Sequence, residues 1–222
     1  MKILSAFISS LTLLSLNVVG LSQVKAQSQS QEGFEFQKIP VTLAGNGCPP
    51  GKAQGIFNGD TLSITFSEFE VVAAPSKVVS KSCNLRIGLN VPSGFNVQPI
   101  NVKYLGFADV PIADVPNKAS ANVNVKILFQ GQEVPTNDDP NARFDPGFSD
   151  VWSKDIGITL KTINACKKPV SSVFGINTTL TARAPKNIPL NQPQLETQIR
   201  IDTIDTTIGS VLFQIKFDFN PC

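Results

Sequence analysis

The chain contains no histidine and one residue each of methionine, tryptophan and tyrosine. Without histidine, Ser-His-Asp and Cys-His nucleophile sets are excluded, as are the usual zinc-enzyme ligand sets. No Gly-x-Gly-x-x-Gly or phosphate-loop pattern stands between a strand and a helix, which removes the common nucleotide-binding folds. No segment sustains a helical period, and Lys and Arg form no cluster. Counterion displacement from a nucleic acid needs a basic face, so no nucleic-acid partner is expected.

The N-terminus has the layout of a secretory leader. Lys2 supplies a positive start, an apolar run follows from Ile3 to Leu21, and Val24-Lys25-Ala26 precedes a cut that makes Gln27 the first mature residue. The run carries Ser5, Ser9, Ser10, Thr12, Ser15 and Asn17, which weaken it as a membrane anchor. No cysteine lies near the cut, which argues against lipidation. Residues 1–26 are therefore expected to be a signal peptide, 27–33 a disordered polar terminus, and 34–222 a single domain. The product is expected to be extracellular or periplasmic, with no membrane span after cleavage. Taking Lys2 and Lys25 from the 19 basic side chains leaves 17, equal to the 17 acids, so the mature chain has no net charge.

Period-two alternation dominates the remainder. Leu62, Ile64 and Phe66 alternate with polar neighbours, as do Leu85–Val91, Val123–Ile127, Ile156–Leu160 and Val211–Phe219. Weaker candidates are Lys38–Leu43, Val97–Leu105, Ile176–Arg183 and Thr197–Ile204. About nine short strands divided by Gly, Pro and Asn turns predict an all-β fold, an antiparallel β-sandwich of jelly-roll or immunoglobulin-like form. Residues 132–150 and 184–196, rich in proline, read as long loops.

Four cysteines, Cys48, Cys83, Cys166 and Cys222, in an exported chain read as two disulfides. Three pairings are open. The sequential one, Cys48–Cys83 and Cys166–Cys222, is the expectation. Its first bridge closes a loop of about 35 residues, constraining the unfolded chain by roughly 3–4 kcal/mol. Its second pins a C-terminus that otherwise frays.

Several short blocks carry a family resemblance. They are Gly45-x-Gly47-Cys48-Pro49, Cys83-Asn84-Leu85 followed by Pro92-Ser93-Gly94-Phe95, Tyr104-Leu105-Gly106-Phe107, Cys166 followed by Ile176-Asn177-Thr178-Thr179-Leu180, and the terminal Cys222. In this order they resemble the secreted family known as domain of unknown function four-three-six-zero, over essentially the whole mature chain. Lys81-Ser82 and Ile163-Asn164-Ala165 depart from that family's usual residues before its second and third cysteines. The resemblance implies a secreted β-rich domain with no assigned activity, and so no catalytic residues.

Three constellations could carry chemistry. Glu68 and Glu70 offer carboxylates for a glycosidase couple, although a two-residue spacing places them on one solvated face. Asp138, Asp139, Asp145 and Asp150 offer oxygens for calcium, without the spacing of a dedicated loop; Asp-Pro turns explain them as well. Trp152 and Tyr104 are candidates for ligand binding, although a lone Trp in a sandwich is more often a core plug, the favoured reading of Trp152. Asn177-Thr178-Thr179 is a glycosylation sequon. The resulting expectation is a secreted, non-enzymatic β-sandwich that binds or builds at the cell surface or matrix. Its candidate partner is a cell-wall or extracellular glycan, and calcium is the sole cofactor considered. The alternatives are a carboxylate-based glycan hydrolase and a calcium-dependent adhesion module.

Overall fold

The computed structural model describes residues 35–58, 61–113, 118–159, 163–186, 195–201 and 213–222. The expected leader, residues 1–26, and the expected polar terminus, residues 27–33, lie outside these residues. At some strand positions, among them Phe213, Phe217 and Phe219, only the backbone is described.

Fourteen strands appear among the described residues. They are β1 (Glu35–Ala44), β2 (Ala53–Asn58), β3 (Thr61–Phe66), β4 (Glu70–Ala73), β5 (Val78–Val91), β6 (Phe95–Asp109), β7 (Ser120–Phe129), β8 (Gln132–Glu133), β9 (Ala142–Phe144), β10 (Ser149–Gly157), β11 (Ile163–Asn164), β12 (Val170–Arg183), β13 (Thr197–Ile201) and β14 (Phe213–Pro221). The first sheet has the order β1-β5-β12-β7-β8, with β9 also on β7. The second has the order β2-β3-β14-β6-β13-β4. Strand β6 anchors it: β14 takes Phe95–Tyr104 and β13 takes Gly106–Asp109, while β10 and β11 pair along the other edge. Every pairing is antiparallel, and the chain is an all-β sandwich. Among the described residues no helix is long and apolar enough to cross a membrane.

Alternation places the core between the sheets. Leu85, Ile87, Leu89 and Val91 of β5, Phe174, Ile176 and Leu180 of β12, and Val123, Val125 and Ile127 of β7 point inward from the first sheet. Leu62, Ile64, Val102, Tyr104, Ile199 and Ile215 meet them from the second. Two prolines that cannot donate to a ladder fall where the register shifts. Lys216 pairs with Asn101 and Phe217 with Pro99, leaving Ile100 as an extra residue. Pro40 lies in the irregular stretch between Phe36 and Val41 of β1.

Strands outnumber the sequence expectation because short ones carry too few residues to show a period. Residues 132–150, expected to be a loop, hold β8, β9 and the start of β10. The strand expected at Ile156–Leu160 begins at Ser149 and ends at Gly157, beyond which Ile158 bridges Thr136. That bridge and the Asn137 N–H to Gly157 carbonyl bond (2.9 Å) tie the two sheets together along one side. Inward-pointing Lys154 interrupts the apolar phase of β10 between Trp152 and Ile156, a device that discourages edge pairing. The C-terminal strand has Ile215 fully buried; Val211 and the three Phe side chains of the expected apolar face lie outside what is described.

Cys48 bridges Cys83 and Cys166 bridges Cys222. The first bridge is buried beside the Gly-x-Gly turn. Gly45 has φ +136°, and a Cβ there would stand 2.1 Å from the Ser82 carbonyl oxygen; one at Gly47 would stand 2.3 Å from the Phe69 ring. The second bridge holds the C-terminus against the β5–β6 turn, where Gly94 accepts from the Cys222 N–H (2.8 Å) and donates to Ala165 (3.0 Å).

Candidate functional site

The residues singled out for chemistry are scattered. Tyr104 is 1% exposed and Trp152 6%, so neither presents a face to a ligand, and the binding role considered for them is corrected to a core role. The Tyr104 hydroxyl reaches across the sandwich to Thr178 Oγ1 at 2.8 Å. Burial drives its phenol far above the ordinary value, with the Thr178 hydrogen bond acting the other way. Trp152 packs on Phe144, ring centroids 5.4 Å apart, and covers Gly106, where a Cβ would stand 2.5 Å from Trp152 Cζ2. The Tyr-x-Gly-Phe block thus combines a cross-sheet hydrogen bond, a seat for an indole, and Phe107, over which Arg200 lies at 5.2 Å.

The acids do not converge. Among the described residues no three His, Cys, Asp or Glu side chains gather as metal ligands. Asp139 accepts from the Asn141 backbone N–H (2.9 Å) and Nδ2 (2.8 Å), Asp145 pairs with Arg143 (3.1 Å), and Asp150 accepts from the Val151 N–H (2.7 Å). Donation from the Asn141 backbone lowers the Asp139 pKa, with Lys154 adding a smaller attraction. These are turn-forming roles. Glu68 is held by Lys52 (2.6 Å) and Glu70 accepts from Gln198, so the two carboxylates have separate partners. A cleft of about 350 Å³ between β7 and the Val134–Asn141 segment has one carboxylate in its lining, Glu133, paired with Lys126.

The outward phase of the first sheet is different. Even-numbered residues of β5 and odd-numbered residues of β12 face away from the core, and the register sets them opposite one another. Ser80 faces Thr181, Ser82 faces Thr179, Asn84 faces Asn177, and Asn90 faces Ser171. On the far side of β12, Asn122 and Asn124 continue the rows of Thr181 and Thr179. The rows are cross-linked: Ser80 Oγ and Thr181 Oγ1 lie 2.8 Å apart, Ser171 Oγ donates to Asn90 Oδ1 at 2.8 Å, and Arg86 Nη1 donates to Asn177 Oδ1 at 2.8 Å. Amides and hydroxyls both donate and accept. The middle of this sheet is therefore an array of such groups, spaced about 4.8 Å across strands and about 6.8 Å along them, with Arg86 set among them. Sequence reading missed this face. Its signal is the outward phase itself, which at Ser80, Ser82 and Asn84, at Asn177, Thr179 and Thr181, and at Ser120, Asn122 and Asn124 is amide and hydroxyl where Lys and Glu are equally soluble choices.

These features define the class: an antiparallel β-sandwich stapled by two disulfides, with an amide- and hydroxyl-lined outer face on its first sheet. The sequence profile of the family described as Domain of unknown function (DUF4360) matches residues 38–222, and the chain belongs to that family. A protein of Arthroderma benhamiae (strain ATCC MYA-4681 / CBS 112371), described as an uncharacterized secreted protein, is 29% identical over 77 residues. That match covers 32% of this chain and 31% of the relative, so the chain spans about a third of the length of the curated relative it matches. Among solved structures, TmCBM61 in complex with β-1,4-galactotriose aligns over 82% of this chain and 88% of its own, at 9% identity and a TM-score of 0.25, a similarity that decides neither architecture nor ligand.

Proposed function

We propose that the chain is an exported, non-catalytic binding module that holds a cell-wall or extracellular glycan on the outer face of its first sheet. The observation that carries the reading is the cross-strand array of Ser80, Asn84, Asn177, Thr179 and Thr181. Sugar hydroxyls need partners that both donate and accept, and such groups are strongest when already held in place. Here β5 and β12 pair over their full lengths, and the Ser80–Thr181 and Arg86–Asn177 bonds hold three of these five side chains in place. Export is supported by the leader layout and by two disulfides, which persist in oxidising compartments. The secreted description of the fungal relative agrees with it.

The test is retention of the mature, disulfide-intact protein on a glycan array and on insoluble polysaccharides. Asn84→Ala combined with Thr179→Ala removes two polar contacts of about 1 kcal/mol each. Retention is expected to fall at least about tenfold, with the melting temperature nearly unchanged. If no glycan is retained, or the double variant binds like the parent, the reading is wrong.

A further inference from the structure

We infer that Arg86 anchors a carboxylate of the bound glycan, which makes the partner a uronic-acid-bearing polysaccharide. The inference rests on the binding face proposed above. Arg86 is half-buried in the middle of that face, opposite Gly175 on β12 and Thr42 on β1. Its side chain lies flat across Gly175: a Cβ built there would stand 3.1 Å from Arg86 Cδ and Nη1 and 3.3 Å from its Cζ. A side chain at position 175 would force the guanidinium upright.

Arg86 Nη1 donates to the Leu85 carbonyl (2.6 Å) and to Asn177 Oδ1 (2.8 Å), both neutral acceptors. Two neighbouring cations on this side of the sandwich have carboxylates: Lys126 has Glu133 and Arg143 has Asp145, each at 3.1 Å. Among the described residues Arg86 has none. A half-desolvated cation without a counterion is costly to keep, and a guanidinium carries five N–H donors in a planar fork that fits a carboxylate through two bonds. The donors on Nε and Nη2 remain for such a ligand.

The surroundings fit a sugar acid better than a bare anion. Gly88, the next outward position along β5, is buried, and Val173 opposite it is 39% exposed. Val173 gives an apolar floor beside the guanidinium for the C–H face of a ring. The amides of Asn84 and Asn177 stand on the other side for its hydroxyls. The balanced charge of the mature chain supplies no long-range pull on a polyanion, so recognition is local. An acidic polypeptide lacks the ring and hydroxyls that this floor and these amides address.

The experiment titrates the mature, disulfide-intact protein with polygalacturonate, alginate, methyl-esterified polygalacturonate, a neutral galactan and poly-glutamate. At least one polyuronate is expected to bind, the ester about tenfold more weakly than its parent acid, as loss of a charge-assisted pair demands. Arg86→Gln is expected to reduce that acid-over-ester ratio to about one, and Arg86→Lys, a point charge without the fork, to an intermediate value. Should Arg86→Gln fail to fold, the acid–ester contrast in the parent protein and the Arg86→Lys ratio still decide. Equal binding of acid and ester overturns the anchor while leaving the glycan face standing. Poly-glutamate binding as tightly as a polyuronate overturns it in favour of an acidic polypeptide. No retention of any polysaccharide, here or on the array, removes the face and the anchor together.

Discussion

Removing the Tyr104 hydroxyl tests how the two sheets are held in register. Tyr104 comes from β6 of the second sheet and Thr178 from β12 of the first, and their oxygens lie 2.8 Å apart in the core. Tyr104→Phe keeps the ring and its packing but strands the Thr178 hydroxyl, which is itself buried. An unsatisfied buried hydroxyl costs about 1–3 kcal/mol. For a domain of this size each kcal/mol lowers the melting temperature by about 2–4 °C, so a drop of roughly 2–12 °C is expected. Thr178→Val removes the cross-sheet partner of the Tyr104 hydroxyl instead and should also lower stability. The double variant replaces both partners with apolar groups of matching shape and should recover most of the loss. Urea unfolding of the four proteins, with both disulfides intact, gives the coupling from their midpoints and slopes. A single variant as stable as the parent, or a double variant whose loss is the sum of the two, refutes the cross-sheet bond as a stabilising contact.

Tyr104 is the only tyrosine, so phenolate absorbance reports it alone. Because burial raises its folded-state pKa, stability is full below the unfolded value near 10 and declines as pH rises above it. Ionisation should appear with unfolding rather than as a native-state titration. Gly106→Ala places a methyl carbon 2.2 Å from the Arg200 carbonyl oxygen and 2.5 Å from the Trp152 ring. It should cost about 1–3 kcal/mol and change the fluorescence of the single tryptophan; unaltered stability and emission would show that the indole is seated elsewhere. Limited thiol treatment followed by peptide mapping should open Cys166–Cys222 before Cys48–Cys83, because Cys222 is exposed while Cys48 and Cys83 are buried; the reverse order contradicts that burial. Asp139, with its pKa lowered by donation from Asn141, contributes stability that is present above the ordinary carboxylate value and lost as pH falls through the lowered one. Asp139→Asn should flatten the acid limb of the stability profile, and an unchanged limb would place the acid sensitivity on other carboxylates.

The sequence by itself determined the class of fold. Leu85–Val91 and Val123–Ile127 alternate because each strand has one face against the core and one toward water, and that constraint is local enough to read from neighbours. The cysteines were legible from their even number and order, since the sequential pairing closes the shortest loops, of 35 and 56 positions. The role of Gly106 as the seat of the indole was not legible, since it depends on Trp152 being its cross-strand neighbour. Nor was the burial of Tyr104, because an aromatic at a strand end has the same sequence signature at a rim as in a core. The binding face was the least accessible. Asn84 and Asn177 stand 93 positions apart, and only the β5–β12 register sets them side by side. Only the same register puts Gly175 beneath Arg86, a cation with no carboxylate partner among the described residues. Alternation fixes which way a side chain points, whereas its neighbour depends on which strands pair and in what register, and those choices are made by long-range burial of the whole core.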